Sequence, residues 1–447
     1  MDQKQLTITA EKFQNIFSEP RINIFGEEIG FCIRERIITP FRFVLSLTSS
    51  FASKQIETIA DLHRDFNSLF KTKVTYKAFY NQMDKPHFPE LMGQMVSLTI
   101  HETFLKVLGF KNPHAFSEFK QILIQDGTSL SVKDALREVF PGRFKHIKPA
   151  AVELHTTMDL LCDTPIIITL TPDTENEQAY LPKPETLKDC LLLMDRGYVN
   201  LKYLREVDRN DGKFVIRGKE GMNPLIVDAY LEDGSRPRQL RNKKLDEIRD
   251  KLPKKKAADL QVAWIIDEKP LYLRMIITWN SNIKEFQYLI TNLSYDLYPI
   301  RKLCLAYKLR WQIELLFKEC KSYANLHAFD TEKPDIVEGL IWAAILSAVI
   351  KRFLAHATQL VAKVEASTRK VAMCAYHALE PLFQCLKNGC ILGIRNVLEE
   401  GIRYLAVNAC RAHPKRDRQR GRSQLGLEPL LEVHNEIDDC VEFAETA

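Results

Sequence analysis

Residues 150–161, AAVELHTTMDLL, decide the fold class of this chain, because apolar and polar side chains alternate along them. Val152 and Leu154 fall on one side of an extended backbone, whereas Glu153 and His155 fall on the other. A period of two residues is typical of a half-buried β-strand, since a helix would repeat its apolar residues every three or four positions. The stretch therefore predicts a strand, and the neighbouring elements can be placed around it.

Short apolar runs lie on both sides of this strand. The run ILI at 122–124 leads into QDG, and the run LLLM at 191–194 leads into DRG. The run PIIITL at 165–170 follows the strand after a polar turn, and residues 185–188 have a short helical pattern. The resulting order is strand, strand, strand, helix, strand, which predicts an α/β fold.

The rest of the chain divides according to the period of its apolar residues. Residues 1–115 read as mostly helical, residues 206–284 contain several β-like runs, and helical periodicity extends from Pro299 to about residue 410. The stretch RAHPKRDRQRGR at 411–422 predicts a mobile basic segment.

Composition excludes several broad classes of protein. The chain has 447 residues, of which 45% are hydrophobic and 27% charged, so it is not a disordered, collagen-like or coiled-coil protein in the main. The formal net charge of +5 decides little, and the ten cysteines form no CxxC pair, which predicts thiols in a reducing cytosol. The N-terminus lacks an apolar signal core, and the longest apolar run, at 339–350, predicts a buried helix because a membrane span needs about 18–20 residues.

The segment AYKLRWQIELLFKECKS at 306–322 carries the clearest chemical signal. At about 100° per residue on a helix, Tyr307, Arg310, Glu314 and Lys321 lie within about 60° of one another. The opposite face is apolar and comprises Leu305, Leu309, Ile313, Leu316 and Cys320. The pattern predicts one helix with a buried face and a polar face, and that polar face alone also fits a solvated surface with an ordinary Arg–Glu ion pair.

Two aspartates extend this signal to the predicted sheet. Asp126 and Asp195 each follow a short apolar strand, and a glycine follows each of them within two residues. Carboxylates at strand ends are common metal ligands in α/β proteins, although each aspartate alone also fits a turn or cap. Together with Glu314 they make an oxygen-only ligand set, which favours Mg²⁺ or Mn²⁺, and two such ions suit in-line phosphoryl displacement.

The spacing Y-x2-R-x3-E-x6-K at 307–321 resembles the Y-R-E-K signature of bacterial insertion-sequence transposases with a DDE active site, specifically the insertion-sequence-four family. DGT at 126–128 resembles the first aspartate motif of that family, and DRGY at 195–198 resembles the second. TNL at 291–293 stands before the helix, where the family often has a similar strand end. The resemblance covers roughly residues 116–350, with the motifs in the family's order.

This resemblance implies an RNase H-like mixed-sheet catalytic domain with a β-rich insertion, flanked by helical N- and C-terminal domains. The implied divisions are a helical N-terminal DNA-binding domain at 1–115, the first part of the catalytic domain at 116–205, the insertion at 206–284, the second part of the catalytic domain at 285–350, and a helical C-terminal domain with the basic segment at 351–447.

The resemblance also implies roles for the matched residues in DNA cleavage. Asp126, Asp195 and Glu314 would hold two divalent ions, Mg²⁺ or Mn²⁺. One ion would activate water or a freed 3′-hydroxyl group, and the other would stabilise the leaving oxygen.

The remaining matched residues would contact the DNA strand. Arg310 would bind a phosphate in a bidentate manner, and Lys321 would act as a point charge on another phosphate. Tyr307 would form a hydrogen bond with a phosphate or pack on a sugar near the cut. Arg196, directly after the second aspartate, is a further candidate for DNA contact.

A hairpin intermediate with a flipped base is also implied by the family, and the base would stack on an aromatic side chain of the insertion. Trp264, Trp279 and Tyr288 are the candidates, and each also fits a core position. The basic clusters at 236–256 and 411–422 would neutralise DNA phosphates or remain solvated.

Other motifs leave alternatives open. Residues 53–70 and 75–83 form a helical pattern on each side of the basic turn KTKV, which fits a DNA-reading helix-turn-helix or ordinary helical packing. His155 is either close enough to approach the metal ions or an ordinary strand histidine whose hydrogen bonds are satisfied. The pair His101-Glu102 does not extend to HExxH, which excludes a zinc protease of that type.

The resulting hypothesis is a DNA transposase that binds terminal inverted repeats, cleaves the ends and joins their 3′-hydroxyl groups to target DNA. We expect double-stranded DNA and a second copy of the chain as partners, with the C-terminal helices as the dimer surface. We expect no membrane, and a cytoplasmic location at the nucleoid when the protein is bound to DNA. The alternatives are an inactive relic that only binds DNA, and a recombinase that uses Tyr307 as a covalent nucleophile.

Overall fold

The computed structural model of this chain describes residues 1–32, 36–105, 116–327 and 329–412. The basic segment predicted at 411–422 lies almost entirely outside these residues. The α-helices of the described residues are α1 (Gln3–Ile16), α2 (Glu19–Glu28), α3 (Pro40–Ser53), α4 (Ile59–Phe70), α5 (Tyr76–Met83), α6 (His87–Ile100), α7 (Leu201–Arg209), α8 (Leu245–Ile248), α9 (Ile300–Lys308), α10 (Trp311–Tyr323), α11 (Pro334–Ala362), α12 (Thr368–Cys374), α13 (Tyr376–Asn388) and α14 (Ile391–Asn408). The strands are β1 (Gln121–Ser131), β2 (Pro141–Phe144), β3 (Lys148–Asp159), β4 (Thr164–Pro172), β5 (Cys190–Met194), β6 (Lys213–Arg217), β7 (Leu225–Leu231), β8 (Ala258–Ile266), β9 (Lys269–Asn280) and β10 (Glu285–Thr291).

The strands form one mixed sheet, which confirms the predicted α/β class. Its order is β2-β3-β1-β5-β6-β10-β9-β8-β7, and β4 also pairs with β3. β1 is antiparallel to β3 and parallel to β5, and β5 is parallel to β6. The central strand β5 is buried along its whole length, as its continuous apolar sequence CLLLM requires.

The half-buried character predicted for residues 150–161 is wrong. Strand β3 is buried on both faces from Ala150 onward, and the polar residues Glu153, His155 and Thr157 are each at most 3% exposed. The ring of His155 stacks on that of Tyr180 at a centroid distance of 4.1 Å, so the polar face of the strand is covered by other polar and aromatic groups. Alternation revealed the strand correctly but could not show what lies over its polar face.

The strands predicted as an insertion at 206–284 extend the same sheet. β7, β8, β9 and β10 pair in antiparallel fashion, and β10 joins them to β6. β6 lies within the predicted insertion, yet it pairs in parallel with β5 of the predicted catalytic part.

Helix α11 is the centre of one helical body formed from both ends of the chain. It packs against α1, α3 and α6 from the N-terminal part and against α12 and α14 from the C-terminal part. The predicted boundary at 350/351 falls inside this continuous helix, and the division into helical N- and C-terminal domains stays a prediction. The apolar run at 339–350 is a buried helix, as predicted. Among the helices of the described residues, none combines the length and apolar character that a membrane span requires.

The single helix predicted at 306–322 is interrupted close to the start of that segment. α9 ends at Lys308 and α10 begins at Trp311, and Leu309 and Arg310 keep a right-handed helical backbone between them. Because the chain direction is largely kept, Tyr307, Arg310 and Glu314 still face the sheet. The opposite face is apolar as predicted, with buried side chains at Leu309, Ile313, Leu316 and Cys320.

Helices α4 and α5 confirm the predicted pair on each side of the basic turn. The Thr75 hydroxyl accepts a hydrogen bond from the backbone N–H of Ala78, so Thr75 caps α5 as expected. Lys71, Lys73 and Lys77 are exposed. Whether this pair reads DNA remains a prediction.

Candidate active site

Strand pairing brings the two predicted aspartates together. Gln125 of β1 and Met194 of β5 are register partners on adjacent parallel strands, and Asp126 and Asp195 directly follow them. Adjacent strands lie about 4.8 Å apart, so the two carboxylates leave neighbouring positions at one end of the paired segment. The two apolar runs recognised in the sequence are therefore what brings these carboxylates close.

Arg310 links the first aspartate to the helix glutamate. Its Nη1 donates to Oδ2 of Asp126 and its Nη2 donates to Oε1 of Glu314, both at 2.6 Å. The three side chains are half-buried to largely buried, with 15%, 19% and 31% of Arg310, Asp126 and Glu314 exposed. A carboxylate from β1 and one from α10 thus share a single guanidinium group.

Tyr307 links the helical side of the site to the second aspartate. Its hydroxyl donates to Oδ1 of Asp195 at 3.2 Å. Burial is the main cause that raises the pKa of Tyr307, and the charge of Asp195 adds to it. The Tyr307 phenol therefore stays protonated at neutral pH and remains a hydrogen-bond donor.

The charges around Asp126 are crowded. The pKa of the Asp126 carboxyl is raised to about 6. Burial is the main cause, Arg310 and the N–H of Gly127 act in the opposite direction, and the charges of Asp195 and Glu314 contribute to the rise. An ordinary aspartate has a pKa near 3.9. One guanidinium group does not fully compensate three carboxylates, so the site favours additional positive charge.

Lys321 of α10 contacts β1 close to Asp126. Its Nζ donates to Oγ1 of Thr128 at 2.7 Å and to the carbonyl oxygen of Ser129 at 2.9 Å. The ammonium group is held against β1 only two residues beyond Asp126. The structure thus brings the six motif residues Asp126, Asp195, Tyr307, Arg310, Glu314 and Lys321 to one edge of the sheet.

The other predicted site residues are more scattered. Arg196 is exposed on the turn directly after Asp195. Trp279 is half-buried, with the Phe286 ring at 4.8 Å and Nζ of Lys254 at 4.4 Å from the Trp279 ring centroid.

Two of the aromatic candidates for base stacking differ in their exposure. Trp264 on β8 is half-buried. Tyr288 is only 4% exposed and packs in the core, so its selection as a stacking residue needs correction: a ring with both faces covered cannot receive a base.

His155 is a buried strand residue, and its Nδ1 has no hydrogen-bond partner among the described residues. Its Nε2 lies 2.8 Å from Oγ1 of Thr171, in addition to the stack on Tyr180. It pairs with Gly127 in register and so points to the face of the sheet opposite to Asp126.

Sequence reasoning missed Glu153, which lies behind the first aspartate motif. Its side chain is 4% exposed and pairs with Arg143 at 3.2 Å. Burial is the main cause that raises the pKa of Glu153 to about 7, and the nearby Glu177 adds to it. The alternation at residues 150–161 identifies Glu153 as a polar residue of the strand. It does not show that Glu153 is buried against Gly127, because that contact depends on the pairing of β3 with β1.

The carboxylate of Glu153 closely approaches Gly127. A Cβ atom at position 127 would lie 2.7 Å from Oε1 of Glu153, closer than real Cβ contacts. We expect Gly127→Ala to displace β1 or Glu153, to lower the free energy of unfolding by about 1–3 kcal/mol and to slow DNA cleavage, because Asp126 is the adjacent residue. Thermal unfolding and nicking assays measure both effects. Gly221→Ala is the matched control, since its Cβ would meet nothing within 4 Å, and equal behaviour of the two variants would contradict this account.

The raised pKa of Asp126 predicts a stabilising substitution. Between its unfolded value of 3.8 and its folded value of about 6, the folded protein binds more protons than the unfolded chain, so stability from this group falls as the pH rises through that window. Asp126→Asn removes the charge, and we expect it to raise the free energy of unfolding at pH 8 by at most about 3 kcal/mol. The gap should narrow as the pH falls from 6 towards 4. Urea denaturation of the wild type and the variant at pH 8 and at pH 4 measures this difference in the free energy of unfolding. An Asn variant that is less stable than the wild type at pH 8 would show that the attraction between Asp126 and Arg310 outweighs the cost of burial.

The donor chemistry of the site fits a hard divalent cation. Asp126, Asp195 and Glu314 supply only carboxylate oxygens, and their crowded charges favour a cation. Within the described ranges, no three acidic, histidine or cysteine side chains are already arranged around one point as ligands. Arg310 stands between two of the three carboxylates and donates to one oxygen of each.

A mixed sheet with an aspartate in one strand, a second aspartate at the end of the adjacent parallel strand and a helix glutamate beside them is typical of metal-dependent phosphoryl-transfer enzymes. Residues 117–350 match the family described as the transposase DDE domain. This match covers more than half of the chain, and the chain belongs to this family of insertion-sequence transposases, which are metal-dependent DNA nucleases and strand transferases.

The similarity to individual transposases extends over most of the chain. This chain is 22% identical over 394 residues to the transposase for insertion sequence element IS1151 of Clostridium perfringens, and the aligned region covers 78% of this chain and 81% of that protein. It is 20% identical over 388 residues to the transposase for insertion sequence element IS231B of Bacillus thuringiensis subsp. berliner, covering 78% and 80%. The piggyBac transposase in a synaptic complex with hairpin DNA has a TM-score of 0.47 and 12% identity to this chain, with 88% of this chain and 84% of that chain covered.

Proposed function

We propose that this transposase binds the terminal inverted repeats of a bacterial insertion sequence, hydrolyses the phosphodiester bonds at its ends and joins the 3′-hydroxyl ends to target DNA. The observation that carries the proposal is the convergence of Asp126, Asp195 and Glu314 beside Arg310 and Tyr307. Three carboxylates from β1, the end of β5 and α10 suit metal-assisted phosphoryl transfer. The other groups of the site, Tyr307, Arg310 and Lys321, act there as hydrogen-bond donors.

Asp126, Asp195 and Glu314 are the proposed ligands of two Mg²⁺ ions, with Mn²⁺ as a substitute. Bound there, the ions would activate water or a 3′-hydroxyl group and stabilise the leaving oxygen. The chain positions the three carboxylates through the β1–β5 register and through the pairing of Arg310 with Asp126 and Glu314.

The cationic and phenolic groups of the site are the proposed DNA ligands. A guanidinium group that leaves a carboxylate on metal binding is free to bind a phosphate in a bidentate manner, which suits Arg310. Lys321 would hold a second phosphate as a point charge. Tyr307 can donate its proton-bearing hydroxyl to a phosphate, and Arg196 is exposed beside Asp195.

The finer family assignment is also proposed. The antiparallel set β4-β3-β1 followed by the parallel strands β5 and β6 supports an RNase H-like core. The contacts of Tyr307, Arg310, Glu314 and Lys321 around Asp126 and Asp195 support the Y-R-E-K assignment to the insertion-sequence-four family.

The assembly and location of the enzyme follow from its proposed task. We propose a homodimer on paired DNA ends, because two ends must be cut, and a cytoplasmic protein at the bacterial nucleoid when bound. The hairpin intermediate with a base stacked on Trp264 or Trp279 belongs to the same proposal, as does the division of the chain at 115/116, 205/206 and 284/285.

A supercoiled plasmid that carries the inverted repeats found beside the reading frame tests this function. The expected result is nicked and excised DNA in Mg²⁺, none in chelator, and joined products when target DNA is added. Binding without nicks in Mg²⁺ or Mn²⁺ would indicate the inactive relic. A covalent adduct at Tyr307 with full activity in chelator would indicate a tyrosine recombinase instead.

A further inference from the structure

The hairpin between β2 and β3 has an unusual tip. β2 pairs with the start of β3 through Pro141 and Ala150 and through Phe144 and Lys148. At the turn, Phe144 is 60% exposed and Ile147 is 81% exposed. Large apolar side chains at such exposure contribute nothing to the core, so their presence on a projecting turn indicates a surface that contacts something else.

The charges around these apolar side chains are positive. Lys145, His146 and Lys148 are all exposed, and the sequence contains no acidic residue between Glu138 and Glu153. The surface formed by residues 144–148, here termed the hairpin tip, therefore combines two ammonium groups with two apolar side chains. Its charge is complementary to a polyanion.

A second hairpin of the same sheet shows that this combination is not general. The β8–β9 turn also exposes an isoleucine, Ile265, at 73%. Its turn residues are Asp267 and Glu268, and Asp267 is paired with Lys202 and Arg205. The two hairpins thus present similar apolar groups, but the β8–β9 turn has charges of both signs around it, whereas residues 144–148 contain no acidic residue.

The hairpin tip is connected to the candidate active site. Lys148 lies three residues before Ala151, the register partner of Ser131 in β1, and Nζ of Lys321 contacts Thr128 and Ser129 of the same strand β1. Ile147 lies nine residues before Thr156, the register partner of Asp126. At about 3.3 Å per residue, the tip lies at most about 30 Å from that point along β3, which corresponds to roughly nine base pairs of duplex DNA.

We propose that the hairpin tip is a DNA-binding element that contacts the duplex beside the cleavage site. Lys145 and Lys148 bind backbone phosphates and continue the line of positive charge from Lys321, while Phe144 and Ile147 pack into a groove. Insertion of apolar side chains such as Phe and Ile between base steps in the minor groove is a known mode of binding to duplex DNA. This inference rests on the proposed function, because it assumes that the substrate is DNA cut at Asp126, Asp195 and Glu314.

Salt-dependent binding of the full-length protein to a labelled 30-base-pair duplex of arbitrary sequence tests the charge component. Each phosphate-binding lysine that is removed should reduce the slope of log K against log salt by about 0.9, so Lys145→Ala/Lys148→Ala should reduce it by about 1.8. The control pair Lys4→Ala/Lys269→Ala removes two exposed lysines outside the hairpin and should leave the slope unchanged. Equal slopes for both double variants would overturn the proposal.

The apolar component is tested with the two exposed isoleucines. Ile147→Asn should weaken binding to the same duplex about 10-fold, and Ile265→Asn should change it less than 2-fold. Sedimentation of the free protein serves as the second measurement. If Ile147→Asn alters self-association and leaves DNA affinity unchanged, the tip is a contact between copies of the chain and the proposal is wrong.

These outcomes are distinguishable from failure of the proposed function. A wild-type protein that nicks DNA in Mg²⁺, with hairpin variants that bind DNA like wild type, overturns only the role of the hairpin tip. A wild-type protein that never nicks, with hairpin variants that bind DNA less tightly, overturns only the cleavage function.

Discussion

Replacing any one of Asp126, Asp195 and Glu314 by its amide is expected to reduce Mg²⁺-dependent nicking by at least about 10²–10³-fold, the range for removing one group that stabilises developing charge directly. An amide keeps the size of the side chain but removes the negative charge that a divalent ion requires. Because the three carboxylates act on the same ions, double variants should be little worse than single ones. The rate of nicking of a supercoiled plasmid in Mg²⁺ measures the effect.

Two controls separate lost chemistry from lost structure. Asp126→Asn should be more stable than wild type at pH 8, because it removes a buried charge, so inactivity of this variant cannot come from unfolding. Asp267→Asn changes an exposed carboxylate that is paired on the β8–β9 turn and should leave nicking unchanged. Near-wild-type nicking by any one of the three amide variants would remove that residue from the catalytic set.

Removing the Arg352 side chain is expected to have the largest effect on stability. Arg352 of α11 donates from Nη2 to Oδ1 of Asp163 at 2.9 Å and from Nη1 to Oε2 of Glu319 at 2.7 Å, and only 2% of its side chain is exposed. Arg352→Ala leaves two buried carboxylates without their cation, so we expect a loss of roughly 3–5 kcal/mol in the free energy of unfolding. Thermal and urea denaturation measure this loss.

The same substitution should reach the active site through α10. Glu319 and Glu314 belong to this helix, and Asp163 lies in the turn between β3 and β4, so Arg352 fixes the helix against the sheet. Arg403→Ala is the matched control, because Arg403 forms an exposed ion pair with Glu399 that is worth about 0.5 kcal/mol at most. If Arg352→Ala costs no more than the control, the buried network does not stabilise the fold.

Much of the sheet could be predicted from the chain because its signals are local. The apolar runs before Asp126 and Asp195 and the alternation at 150–161 each show a strand over a few residues. The expectation that both strands end at their aspartates holds for β5 only, because β1 continues to Ser131, and the convergence of Asp126 and Asp195 follows from the parallel register of β1 and β5. The face shared by Arg310 and Glu314 follows from helical geometry alone, and both features are present in the structure.

What could not be predicted depends on contacts between distant parts of the chain. The helical pattern allowed a pair between Arg310 and Glu314, but it could not show that the same guanidinium group also binds Asp126, 184 residues away in the sequence. The burial of Glu153 depends on the approach of Gly127 from a neighbouring strand. The union of the N- and C-terminal helices around α11 leaves no periodic signal in either segment.

That union has a consequence for how the protein is made. The first helices leave the ribosome early, yet the surface they bury lies on α11, which starts at Pro334. At about 5–20 residues per second, residues 100 to 334 take on the order of ten to fifty seconds to be translated. During that interval the nascent N-terminal segment has to keep its apolar side chains from other nascent chains, so chaperone supply and elongation speed become determinants of how much enzyme a cell obtains.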